Sequence, residues 1–233
     1  MRKVELILFF VVLTAYSFFV QYPNVNQNTR FDLTRAMVEE HTVSIDRYQE
    51  NTVDKSYFNG HWYADKAPGL SFVALVPYAL FLRLQPVNDP AVWPGYPMSV
   101  VNTIAVALPA ALLVLLVLRW VRTVTEDEQV ALAVAVVFAL GTLALPFATL
   151  FFGHMTSAFF SFAAFYAIWQ IAGRSRSSPA GDRDRQGSAW RLFGAGLMAG
   201  LASIIEYPNA LIAGLLLFYA LAILQDKKRV ALY

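Results

Sequence analysis

The sequence contains no cysteine. Disulfide frameworks, thiolate nucleophiles and cysteine metal sites are therefore excluded, and cysteine usage gives no clue to the redox compartment. Charge is scarce too: 18 Lys and Arg against 16 Asp and Glu, 15% of 233 residues, with a formal net charge of +2. A typical soluble domain carries about 25% charged residues, and a disordered chain combines high charge with low hydrophobicity. Neither describes a chain that is 58% hydrophobic with a mean hydropathy of +0.49. The charge balance is too small for a nucleic-acid binder, and no basic stripe follows an amphipathic helix. Histidine is limited to His41, His61 and His154, whose spacing fits no zinc motif. What the chain has in abundance is apolar sequence, in runs. The class is an all-α polytopic membrane protein.

About 20 apolar residues are needed to cross a hydrocarbon core of about 30 Å. The run 4–20 follows Met1-Arg2-Lys3 and has no small-x-small cleavage site before Gln21, so it reads as an uncleaved span rather than a signal peptide. Further runs cover 67–84, 98–118, 130–147, 151–172 and 192–224. The last is too long for one crossing, and Pro208 at its midpoint divides it into 192–207 and 208–224, meeting at Glu206-Tyr207-Pro208-Asn209.

The excess of Lys and Arg belongs on the cytoplasmic side. If 67–84 crosses, 15 of the 18 basic residues fall outside. If it lies on the outer interface or re-enters there, 12 fall inside and 6 outside. Pro68 and Pro77 suit the second arrangement. The sequence thus predicts a single transmembrane domain over 1–233. It has six transmembrane helices, an outer-face interfacial or re-entrant helix at 67–84, and both termini in the cytoplasm of a plasma (inner) membrane. Chemistry then belongs to the periplasmic or extracellular side.

The polar loop 21–66 faces that side and holds seven of the sixteen acidic residues: Asp32, Glu39, Glu40, Asp46, Glu50, Asp54 and Asp65. Phe31, Ile45, Tyr57, Phe58, Trp62 and Tyr63 are spread through it, which argues for a folded segment. Thr29-Arg30-Phe31-Asp32 reads as a capping box opening a helix over about 29–40, with Phe31, Met37 and Val38 on a membrane-facing side. Asn59-Gly60 marks a turn.

Three pieces carry a resemblance. They are Thr29-Arg30-Phe31-Asp32-Leu33-Thr34-Arg35-Ala36, then Tyr63-Ala64-Asp65-Lys66-Ala67-Pro68-Gly69, then the stretch from Gly200 through Glu206-Tyr207-Pro208. The order of a first span, an acidic outer loop with a short helix, and an aromatic-rich entry to an apolar helix resembles GT-C-type membrane glycosyltransferases. The likeness is to lipid-A aminoarabinose transferases and protein O-mannosyltransferases. It covers most of the chain and implies a polyprenyl-phosphate sugar donor and an aspartate base in the first outer loop. The acceptor is a lipid, glycan or protein hydroxyl. Relatives place an acidic pair just before the Thr-Arg, where this chain has Gln27-Asn28, and often a Thr-Lys-Gly-Pro tip where it has Glu206-Tyr207-Pro208. Relatives are also longer, so the chain reads as an amino-terminal portion of such an enzyme.

Each candidate residue has a sharp and a plain interpretation. Asp32 is a general base or a helix-capping carboxylate. Asp46 is a second catalytic carboxylate or a turn residue paired with Arg47. Arg30 and Lys66 lie where a lipid phosphate would need a positive charge, although Lys66 at the start of an apolar helix is also placed to snorkel. His154 is a proton shuttle, a phosphate contact or an interface residue. Glu206 lies within a long apolar run, where an ionisable group is a functional candidate by default. The basic cluster 174–191 reads as a cytoplasmic loop. The carboxylates suit a divalent cation, but nothing in the pattern demands one. A transporter or non-catalytic membrane subunit is the alternative, and the lack of a second copy of the outer-loop pattern weighs against the transporter.

Overall fold

A computed structural model describes residues 3–19, 21, 23–85, 95–177 and 182–223, with side chains given outside 174–188. The described chain is mostly helical and divides into two compact units, Met1–Thr156 and Ser157–Tyr233. Among the described residues, two helices are long and apolar enough to cross a membrane, Tyr96–Thr125 and Gly153–Gly173. Shorter apolar helices cover Gly69–Leu84, Glu128–Gly141, Ala189–Ile205 and Asn209–Ile223.

The first unit contains α1 (Lys3–Phe18), α2 (Val25–Arg35), α3 (Gly69–Leu84), α4 (Gly95–Asn102), α5 (Leu108–Thr125), α6 (Glu128–Gly141), α7 (Ala144–Ala148) and the start of α8 (Gly153–Ser177). A π turn over Thr103–Ala107 joins α4 to α5 in one continuous helix. Pro109 explains it: proline has no N–H to give the carbonyl four residues back, and its ring crowds that carbonyl. The carbonyl in question, on Ala105, is bonded instead by the Thr156 hydroxyl at 2.8 Å.

Both ends of this bundle are pinned by polar contacts. At one end Glu5 of α1 meets Arg119 (2.9 Å) and Arg122 (2.9 Å) of α5, and Arg122 also reaches Glu128 of α6 (2.6 Å). At the other, Tyr16 of α1 donates to the Ala139 carbonyl of α6 (2.9 Å), and Gln21 bonds Thr149 (2.8 Å). The Asp127 side chain caps α6 through the N–H groups of Gln129 and Val130.

The loop expected as 21–66 is a folded layer. Its helix begins earlier than the sequence suggests. Asn24 caps α2, and Gln27 returns the bond to the Asn24 N–H at 2.8 Å, so the capping box is Asn24–Gln27 and not Thr29–Asp32. A π turn over Ala36–Glu40 carries the helix to the expected end, where His41 adopts φ 54°. Phe31 does not face outward as expected. It is fully buried, edge-on to Tyr78 (5.0 Å) and Phe151 (5.6 Å). A 3-10 turn over Gln49–Asn51 leads to a hairpin of β1 (Lys55–Phe58) and β2 (His61–Ala64), in register Lys55 with Ala64 through Phe58 with His61. Asn59 (φ 55°) and Gly60 (φ 90°) supply the two left-handed residues that such a tight connection needs. Trp62 and Ala64 pack on Leu33, Ala36, Ile45 and Tyr48.

The second unit holds the rest of α8 with α9 (Asp182–Ile205) and α10 (Asn209–Ile223). The chain breaks at Glu206–Pro208, as the proline predicts. Ala164, Ile168, Leu192, Ala195, Ala199, Leu216 and Ala220 form its core. The basic cluster 174–191 falls largely where no side chains are described, and Lys227-Lys228-Arg229 lie outside the described residues.

Candidate functional site

The most polar helix of the protein is also its most enclosed. Every residue of α2 from Gln27 to Arg35 is buried, among them Asn28, Thr29, Arg30, Asp32, Thr34 and Arg35. Neighbouring elements supply the polar partners this requires. Ser71 of α3 donates to the Arg30 carbonyl (2.7 Å) and Thr34 to the same carbonyl (3.2 Å). Thr52 donates to the Val25 carbonyl (2.7 Å). Arg35 pairs with Glu39 (3.0 Å) and lies 4.0 Å over the Tyr48 ring, while the Tyr48 and Tyr78 hydroxyls donate to Glu39 at 3.2 and 2.5 Å.

Asp32 sits in the middle of this helix at 0% exposure. Its Oδ1 accepts from the Asn51 amide at 3.1 Å. Its Oδ2 is buried and has no hydrogen-bond partner among the described residues. Burial pushes its pKa up to about 7, against the opposing pull of the Asn51 hydrogen bond and the Arg35 and Lys55 charges. With α2 opening at Val25, Asp32 is no longer a capping residue, so the plain interpretation of this carboxylate falls away. Asn51 is held in turn by Asn28, whose amide donates to the Asn51 carbonyl at 2.9 Å.

Asp46 is different in every respect. It is 44% exposed and accepts from the His61 ring (2.7 Å) and the Trp62 backbone N–H (2.7 Å). The Ser44 hydroxyl, the Trp62 N–H and the His61 ring hold its pKa down at about 2. It does not pair with Arg47, which bonds Glu40 instead. So strong an acid is a poor proton acceptor near neutrality; Asp46 ties the hairpin to the preceding turn.

The remaining candidates are dispersed. Arg30 shares α2 with Asp32 but leaves it about 200° around the axis, and its Nε donates to Asn26 at 3.2 Å. Lys66 lies between Asp54 (3.2 Å) and Asp65 (3.2 Å), which neutralise it. His154 begins α8 between the rings of Phe147 (4.7 Å) and Phe152 (5.5 Å). Glu206 lies in the second unit, at the break before α10. No group of three or more His, Cys, Asp or Glu side chains suited to a metal ion occurs among the described residues. The sequence reasoning missed Asn28, Thr29 and Asn51 around Asp32, and the Arg35–Glu39–Tyr78 network beside it. The amides Asn26 and Asn28 in a predicted helix were the available signal, since Asn is a weak helix former that invites a specific reason for its presence.

In comparisons with protein-family models, curated proteins and solved structures, nothing matches this chain.

Proposed function

We propose that this protein is a membrane glycosyltransferase. It moves a sugar from a polyprenyl-phosphate donor to an acceptor hydroxyl on the outer face, with Asp32 as the general base. The observation that carries the proposal is Asp32 itself: a carboxylate enclosed within a helix, one oxygen unpartnered among the described residues, its pKa brought to about 7. A general base works best with a pKa near the working pH. The donor class is taken from the resemblance around Tyr63–Gly69, where Lys66 would exchange a carboxylate partner for a phosphate oxygen.

The same proposal places six crossings in the membrane with α3 outside them. Three observations support it. The ion cluster of Glu5, Arg119, Arg122 and Glu128 joins the start of α1 and the Arg-bearing end of α5 to the acidic start of α6. Ser71 and Tyr78 fasten α3 along α2 and its π turn, so both its first and third turns stay with the polar loop. And α6 buries Ala131, Ala135 and Ala139 while exposing Val130, Val134, Val137 and Leu140, the small-in, large-out pattern of helices packed in lipid.

The test uses membrane vesicles carrying the full chain and a radiolabelled polyprenyl-phosphate sugar. Asp32→Asn is expected to lower transfer about 10²–10⁴-fold, and wild-type transfer to rise as pH passes through about 7. Stability runs the other way. The folded-state pKa lies above the unfolded value of 3.8, so the native chain keeps a proton that the unfolded chain has lost. Stability therefore falls as pH climbs from about 4 to about 7, and Asp32→Asn removes that slope. Undiminished transfer by Asp32→Asn, or uptake of free sugar without transfer, overturns the proposal.

A further inference from the structure

Four buried side-chain oxygens lie on α2 and on the Gln49–Asn51 turn bonded to it. Asn28 Oδ1, Thr29 Oγ1, Asp32 Oδ2 and Asn51 Oδ1 have no hydrogen-bond partner among the described residues. Asn28, Thr29 and Asp32 share one side of α2, at positions i, i+1 and i+4, and the Asn28–Asn51 and Asn51–Asp32 bonds bring the turn against them. The two amides cannot simply be reversed. Each NH2 already donates to an oxygen, Asn28 to a backbone carbonyl and Asn51 to the carboxylate, so the oxygens are their open ends. Buried acceptors without donors are destabilising, and a cluster of them beside a candidate catalytic carboxylate calls for a functional explanation.

We infer that this cluster is the acceptor subsite and that the acceptor is a neutral, polyhydroxylated molecule, a sugar or glycan with adjacent free hydroxyls. The inference rests on the glycosyltransferase proposal and narrows its acceptor. Neighbouring hydroxyls on a sugar ring present several O–H donors on one face without adding charge. One of them lies against Asp32 Oδ2, and the others donate to the oxygens of Asn28, Thr29 and Asn51. In the transfer step the first hydroxyl gives its proton to Asp32 while its oxygen bonds the anomeric carbon. The bond from that carbon to the phosphate oxygen breaks, and its electron pair leaves with the polyprenyl phosphate. A phosphate acceptor sets negative charge against the Asp32 carboxylate and brings no donors to the amide oxygens of Asn28 and Asn51. A serine or threonine hydroxyl brings one donor to four oxygens. An ammonium group brings three donors, but its charge is opposed by Arg35 and Lys55, both within electrostatic reach of Asp32. Asn51 sits on a short turn held through Asn28, Asp32 and the Thr52–Val25 bond, so incoming hydroxyls enter by taking over the bonds that Asn51 makes.

The experiment is saturation-transfer NMR and calorimetry on the full chain in nanodiscs, with no donor present. The probes are methyl glycosides of mannose, glucose, galactose and arabinose, set beside inorganic phosphate, N-acetylserinamide and ethylammonium. At least one glycoside is expected to bind saturably, and Thr29→Val, which keeps the side-chain shape, to weaken it about tenfold. The melting temperature of Thr29→Val without ligand is expected to stay level or rise, because an unpaired buried hydroxyl has been removed. Asn51→Ala, which keeps the α2 oxygens, is expected to weaken the same glycoside. Binding of no glycoside, equal binding by Thr29→Val, or preference for phosphate, N-acetylserinamide or ethylammonium overturns the inference. The two proposals fail separately. Glycoside binding without any transfer from a polyprenyl-phosphate sugar sinks the enzyme and keeps the subsite, whereas transfer to a phosphate or a serine does the reverse.

Discussion

Helices α2 and α6 invert the usual relation between polarity and burial. In α2 the enclosed residues are amides, hydroxyls, two arginines and an aspartate, with Phe31 and Leu33 among them. In α6 they are three alanines four apart, while valines and a leucine point outward. The second unit repeats the α6 pattern in part: α9 buries Ala195, Ala199 and Ala202 and exposes Phe193, Leu197 and Ile204, but it also encloses Leu192 and Ile205. The contrast teaches that burial here follows the supply of partners rather than hydropathy. Apolar side chains gain little from one another when the surrounding medium is itself apolar, so close packing selects small residues. A polar helix, by contrast, needs partners for its polar groups, and in α2 the surrounding Asn51, Thr52 and Ser71 supply several while the oxygens of Asn28, Thr29 and Asp32 stay open.

The contrast can be broken at three places. The largest effect is expected at Arg35, where Arg35→Met removes the ion pair with Glu39 and the contact with the Tyr48 ring. A loss of about 3–5 kcal/mol is expected in denaturant titration of the detergent-solubilised protein, because Glu39, 20% exposed, is left half-buried with its charge less balanced. A loss under about 1 kcal/mol is what a surface pair would give, and would mean that α2 is not the interior element described here. Next comes Val137, 60% exposed on α6. Facing lipid, Val137→Asp should cost about 2.5–3.5 kcal/mol in a membrane-insertion assay; facing water, it would change stability by no more than about 0.5 kcal/mol. The smallest effect belongs to Tyr16→Phe, which deletes only the bond to the Ala139 carbonyl. About 0.5–1.5 kcal/mol is expected from thermal melting, and no change would detach α1 from α6 at that end.

The helices were largely legible in the sequence, because hydropathy and proline act locally. The runs 67–84, 130–147 and 208–224 correspond to α3, α6 with α7, and α10, and the break at Glu206–Pro208 lies where Pro208 put it. The run 98–118 falls short of the helix, since Arg119 and Arg122 close a hydropathy window yet lie within α5, which continues to Thr125, and bond Glu5. At α2 the sequence points to Thr29–Asp32 as the cap, whereas Asn24–Gln27, five residues earlier, fits the same pattern and is the pair that caps the helix. The Asn59-Gly60 turn was visible, whereas strands of four residues gave too little alternation to read. The site was least legible. Asp32 stood out as a candidate, but its enclosure depends on Asn51, Ser71, Tyr78 and Phe151, and no local rule reaches that far along a chain.

That reach also sets an order of assembly. The α5–α6 pair turns within two residues and closes as soon as both helices exist. Helix α2 emerges from the ribosome before either of them, yet the ring that lies against Phe31 belongs to Phe151, and the hydroxyl that anchors Gln21 belongs to Thr149. A segment synthesised before its partners thus locks only once they have arrived, and until then its amides and aspartate must stay hydrated.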